Sequence, residues 1–136
     1  MDTLPLWFGR LAVMTFFAIA FVQSAVDKWF DSQGNLAFLE GHFAKSPLGS
    51  VVSPLFWAIT VLESAAGVLC GVGTLQILFG GGTSIALLGL VFAVISLLCL
   101  FVGQRLAKDY AGAVVLASYF AVALLGFILL GISKAV

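Results

Sequence analysis

Four apolar runs, each about as long as a bilayer is thick, constrain this chain more than anything else in it. They extend from about Trp7 to Val26, Pro54 to Gly73 or on to Phe79, Ser84 to Gly103 and Ala111 to Ile132. Each holds about 20 residues, near 30 Å as a helix, which matches the hydrocarbon thickness of a membrane. From Ser64 to Gln104 the chain carries no charge. Composition agrees: 62% of the 136 residues are apolar, 9% are charged, and the mean hydropathy is +1.22. A soluble domain carries roughly 25% charged residues, and a globule this poor in polar groups could not cover itself in water. The expected fold class is all-α, an integral membrane four-helix up-down bundle forming one domain over residues 1–136 and surrounded by the lipid bilayer. Net charge is zero, which gives no case for nucleic-acid binding.

The segment ends carry local signals. Ser53-Pro54 reads as an N-cap followed by proline at the first helical position. Gly80-Gly81-Gly82 breaks the chain, and Thr83 or Ser84 can cap the helix that follows. Asp109 can cap the fourth span, where its charge suits a helix N-terminus. Trp7, Trp29, Trp57 and Tyr110 fall near segment ends, as an interfacial aromatic belt requires. Val22–Ala25, after an apolar core, also fits a signal-peptide cleavage site, but the segment is expected to remain as a span. The loop from Asp27 to Val52 is the long one. It holds Asp27, Lys28, Asp31, Glu40, His42 and Lys45, and it places Leu36, Leu39 and Phe43 on one helical side, which predicts a short interfacial helix. The other connections are short, so neighbouring helices pack antiparallel. Lys28, Lys45, Arg105 and Lys108 lie on the long-loop side, against Arg10 and Lys134 on the other. The positive-inside rule then favours both termini outside.

Glu63 is the exception inside the spans. Nine residues into its segment, it lies roughly 14 Å deep, near the bilayer centre, where an ionised acid costs about 2.5–3.5 kcal/mol. Ser96, Ser118 and Tyr119 fall at a similar depth and can supply hydroxyl donors. Arg10 sits across the midplane, with an axial gap of roughly 10 Å that long side chains or a bridging water can close. Arg10, Met14, Phe17, Phe21, Ser24 and Lys28 recur at spacings of four and three, forming one stripe. The face around Glu63 reads Thr60, Gly67, Cys70 and Gly71, and Gly67 to Gly71 is a G-x-x-x-G that admits a close neighbour. The layer of Glu63, Arg10, Ser96, Ser118 and Tyr119 is either polar glue between helices or a proton or ligand site. Lys28 and Lys108 are expected to face solvent or lipid headgroups.

Cys70 and Cys99 lie roughly 15 Å or more apart in depth, too far for a disulfide, and are expected to be small packing residues. Phosphate-loop, dinucleotide and H-E-x-x-H motifs are absent. The single histidine, His42, excludes a buried bis-histidine haem site; beside Glu40 it is half of a metal site or an ordinary interfacial residue, and no metal is expected.

Arg10-Leu11-Ala12 through Lys28-Trp29 resembles the first-helix signature of the DoxX-like membrane proteins, with Arg10, Phe21, Ser24 and Lys28 at the matching positions and Ala25 where the family usually has glycine. Val61 to Gly73, with Glu63 followed by Gly67, resembles the family's second helix, and Lys108 to Gly131 its last. The resemblance covers nearly the whole chain. It implies a four-helix bundle in a prokaryotic cytoplasmic membrane. Relatives include the membrane subunit of thiosulfate:quinone oxidoreductase, a subunit associated with an archaeal terminal quinol oxidase, a methylamine-utilisation maturation protein and eukaryotic assembly chaperones. The expected function is a membrane subunit of a quinone-linked redox complex, with a quinone as its non-covalent cofactor and other membrane subunits or further copies of the chain as partners. The alternatives are a non-catalytic accessory or assembly subunit and a small transporter.

Overall fold

The computed structural model describes residues 3–132, so Lys134, one of the charges that bear on orientation, lies outside the described residues. The described chain is five helices: α1 (Thr3–Phe30), α2 (Ser32–His42), α3 (Val52–Leu78), α4 (Ser84–Leu106) and α5 (Tyr110–Gly131). All but α2 are long and apolar enough to cross a membrane. Consecutive spans run antiparallel in an up-down bundle. The order around it is α1, α3, α4, α5, with α5 closing back against α1.

Three spans are longer than their apolar runs, α4 by one turn to Leu106. α1 continues past Val26 to Phe30, because Trp29 and Phe30 resume the apolar pattern after Asp27-Lys28. α3 begins at Val52, with Val51 in the cap position and no side-chain cap bond, so Ser53 does not cap it. Proline needs no N–H partner anywhere in a first turn, so Pro54 does not force the start to its own position. Across the glycine turn, where Gly80 and Gly82 adopt φ of +79° and +95°, Thr83 holds the cap position without a side-chain bond. The Gln76 Oε1 of α3 takes that role, accepting from the Ile85 amide at 3.2 Å. Asp109 caps α5 as expected, its Oδ1 accepting from the Gly112 amide at 2.9 Å.

α3 is the central helix, and glycines let its neighbours approach. A Cβ at Gly67 would lie 2.9 Å from the Val22 amide nitrogen of α1. One at Gly73 would lie 2.6 Å from the Ala86 Cα, and one at Gly89 would lie 2.8 Å from the Cys70 amide nitrogen, both across the α3–α4 contact. Gly71 has open space around it, so only the first glycine of the G-x-x-x-G makes a close approach. Met14, Phe17 and Phe21 of the α1 stripe are buried against Ala66 and Cys70 of α3 and Leu90, Ala93 and Leu97 of α4. The outer surface is valine, leucine and isoleucine, such as Val61, Val68, Leu75 and Ile128, as lipid contact requires. Trp7, Trp29, Trp57 and Tyr110 are exposed close to helix ends.

α2 is the short helix expected in the long loop. Asp31 caps it by accepting from the Gly34 amide at 3.3 Å, and Leu36, Leu39 and Phe43 are half-buried along its inner side. It contains no fully buried residue.

Candidate functional site

Glu63 is 2% exposed, and its partners come from α1. Its Oε1 lies 2.9 Å from Lys28 Nζ and accepts from Ser24 Oγ at 3.1 Å. Lys28 Nζ also donates to Ser24 Oγ at 2.8 Å. Ser24 and Lys28 are one turn apart on α1, so both reach the same carboxylate. The expectation that Lys28 faces solvent or headgroups is therefore corrected. The added turn of α1 carries Lys28 onto the inner face, and its long stem brings the ammonium down to Glu63.

Arg10 is not a partner of Glu63. Its Nε donates to the Leu129 carbonyl at 2.8 Å, and its Nη2 donates to the Ile132 carbonyl at 2.7 Å. The last turn of α5 leaves carbonyls without helical partners, and a cation there also meets the negative end of the helix dipole. These acceptors lie at Arg10's own level, while Glu63 lies well along the axis.

The remaining residues of the expected layer do not converge. Ser96 is buried, but its Oγ donates to the Phe92 carbonyl of its own helix at 2.9 Å. Ser118 is exposed and donates to the Val115 carbonyl at 2.6 Å. Tyr119 is 36% exposed and sets its ring edge against Phe16. Equal depth does not fix the direction in which a residue faces, and α5 turns Ser118 and Tyr119 outward. The polar cluster that does form is Glu63, Lys28 and Ser24, with Gly67 one turn away making room for α1.

Lys28 also reaches a cavity of about 520 Å³ between α2 and the loop-side ends of α3, α4 and α5. Phe38, Leu39, Phe56, Ile59 and Leu116 supply much of its apolar wall. Its polar residues include a group that the sequence did not point to. His42 Nε2 lies 2.9 Å from Gln104 Oε1 and 3.4 Å from Asp109 Oδ2. Phe38 stacks on the imidazole with centroids 5.5 Å apart, and Phe43 meets it edge-on at 5.0 Å. An amide oxygen at 2.9 Å and a carboxylate oxygen at 3.4 Å both face Nε2, which favours the neutral tautomer with its proton on that nitrogen.

His42 therefore pairs with Asp109, whereas Glu40 is exposed. Among the described residues, no three His, Cys, Asp or Glu side chains gather as a metal site would need. Asp109 was legible only as a helix cap. The available signal was that Gln104 and Asp109 flank the α4–α5 turn, on the same membrane side as the long loop. The cysteines divide: Cys70 is buried in the core, but Cys99 is exposed and lines the cavity, so only the first is a buried packing residue. Comparisons of the chain with protein-family models, curated proteins and solved structures find no match.

Proposed function

We propose that the chain is a DoxX-like subunit of a quinone-linked redox complex in a prokaryotic cytoplasmic membrane, and that the cavity beside α2 receives the quinone head. The observation that carries this is Lys28. Its ammonium has three N–H groups; Ser24 and Glu63 engage two, while the residue also lines the cavity. The third is free to donate to a carbonyl oxygen there, and Glu63 cancels the charge that would otherwise select an anion. Ligand sites are typically clefts of about 300–1,000 Å³ with apolar walls and a few convergent polar groups. The cavity has that size and chemistry, and it fits a neutral ring bearing carbonyls and an apolar tail. A bound quinone supplies the redox chemistry. The residues bind and orient it, and a partner subunit exchanges electrons with it.

The accessory-subunit reading has one observation in its favour: the Lys28–Ser24–Glu63 cluster also staples α1 to α3. One experiment separates the two. The protein is purified in mild detergent and its lipids, quinones and co-purifying chains are measured by mass spectrometry, alongside the Lys28→Met/Glu63→Leu double variant. Retained quinone in the wild type, lost in a folded double variant, supports the redox subunit. A stable wild type with lipid alone, or quinone retained equally by both proteins, overturns the proposed site.

A further inference from the structure

We infer that His42 is the proton-accepting group of the cavity, held for that role by Asp109 and Gln104, and that the site takes a neutral, hydroxyl-bearing ring in preference to an anionic head. This rests on the reading of the cavity as a ring-binding site.

The imidazole is fixed from two directions. Gln104 hydrogen-bonds Nε2, the Asp109 carboxylate lies 3.4 Å from it, and the Phe38 and Phe43 rings hold its plane. Among the described residues, Nδ1 has no hydrogen-bond partner. With the proton on Nε2, Nδ1 carries the lone pair. A ring hydroxyl in the cavity can donate to it. On transfer, the O–H bond breaks, its electron pair stays on the oxygen, and the proton passes to Nδ1. The resulting imidazolium then pairs with Asp109, as an oriented histidine–carboxylate pair requires. No electron moves in this step.

Charge decides against an anionic head. From α1, Lys28 reaches the cavity, but Glu63 of α3 already matches it. Asp109, at the start of α5, has a cationic partner on the wall only once His42 is protonated. α4 contributes Cys99, and Glu40, the acid of α2 itself, is exposed. A carboxylate or phosphate would meet Asp109 with no unmatched cation on the wall. A neutral hydroxyl meets an acceptor.

His42 is the only histidine in the sequence, so its imidazole nitrogens can be read by ¹⁵N NMR without assignment. The full chain, labelled with ¹⁵N-histidine in nanodiscs, is titrated with a redox-inert long-chain alkylphenol, its methyl ether and a fatty acid of equal length. Ligand binding is measured separately by quenching of tryptophan fluorescence. The expected result is that the phenol binds about tenfold tighter than the ether, one hydrogen bond's worth. The phenol moves the His42 resonances towards their protonated positions, the ether binds without doing so, and the fatty acid binds worst. Asp109→Asn, which still caps α5, should lose most of the resonance shift. His42→Gln, which keeps a donor towards Gln104 and Asp109, should bind phenol and ether alike. Phenol that binds without moving the resonances, or a fatty acid that binds best, overturns the role of His42 and leaves the cavity reading standing. Failure of both phenol and ether to bind overturns the cavity reading and this inference with it.

Discussion

The two ends of the bundle use their polar side chains differently. At the glycine-turn end, Arg10 donates to the last carbonyls of α5, Trp7 donates to the Ile77 carbonyl at 3.2 Å, and Gln76 accepts from the first turn of α4. Each of these side chains serves a helix end; the Ile77 carbonyl also accepts from the Gly80 amide at 3.1 Å, and the others meet end groups that helix geometry leaves open. At the long-loop end, Asp31 and Asp109 also cap helices, but other side chains bond to one another. Lys28, Ser24 and Glu63 form one group, and His42, Gln104 and Asp109 form another, with the 520 Å³ cavity reaching both. Polar groups committed to backbone have little left to offer a ligand. Groups that hold each other retain unused donors and lone pairs. The first end commits its polar side chains to helix termini, and the second holds the groups on which the proposed ring site rests.

The largest expected effect tests the boundary between those roles. Lys28→Met leaves Glu63 buried without its cation and should cost about 3–5 kcal/mol, read as a large fall in melting temperature in detergent. Adding Glu63→Leu should recover most of that loss, since two apolar groups replace a pair that was expensive to bury. A double variant no more stable than Lys28→Met would show that the pair does more for the fold than cancel charge.

Next in size is Gly89→Val. Its added atoms would press on the Cys70 backbone, and the expected cost is about 1–3 kcal/mol. Ligand binding should fall only in proportion to the folded fraction, because this contact belongs to the core. Arg10→Met should cost about 1–2 kcal/mol through the α5 carbonyls it leaves, one of them at an exposed position. It should leave binding at the far cavity unchanged, and altered quinone or phenol affinity in a folded Arg10→Met protein would break the contrast between the ends. Smallest are Ser118→Ala and Tyr119→Phe, each expected within about 0.5 kcal/mol of wild type because both side chains lie on the outer surface.

What the sequence makes legible follows from which physical signals are one-dimensional. Hydropathy finds the spans, because lipid leaves an apolar run of that length little choice but a helix. The Asp109 cap is readable because capping depends on residues three apart. The Glu63 partners are only partly readable. Helical spacing already puts Ser24 and Lys28 on one stripe, but ending α1 at Val26 assigns Lys28 to the loop, and depth alone then nominates Arg10. Depth is a single coordinate. Ser96, Ser118 and Tyr119 share it with Glu63, yet Ser96 bonds its own helix and the other two face outward. The His42 group is not readable from any one segment, because it forms only when α2 folds back over the α4–α5 turn.

The unequal surroundings of the two cysteines make the native protein its own reporter. Cys70 is sealed in the core, while Cys99 stands exposed on the cavity wall. A thiol-reactive label added to intact membranes should therefore modify one position, and its rate should fall when a ligand occupies the neighbouring space. Occupancy can then be followed as a labelling rate, without introducing a mutation or attaching a probe in advance.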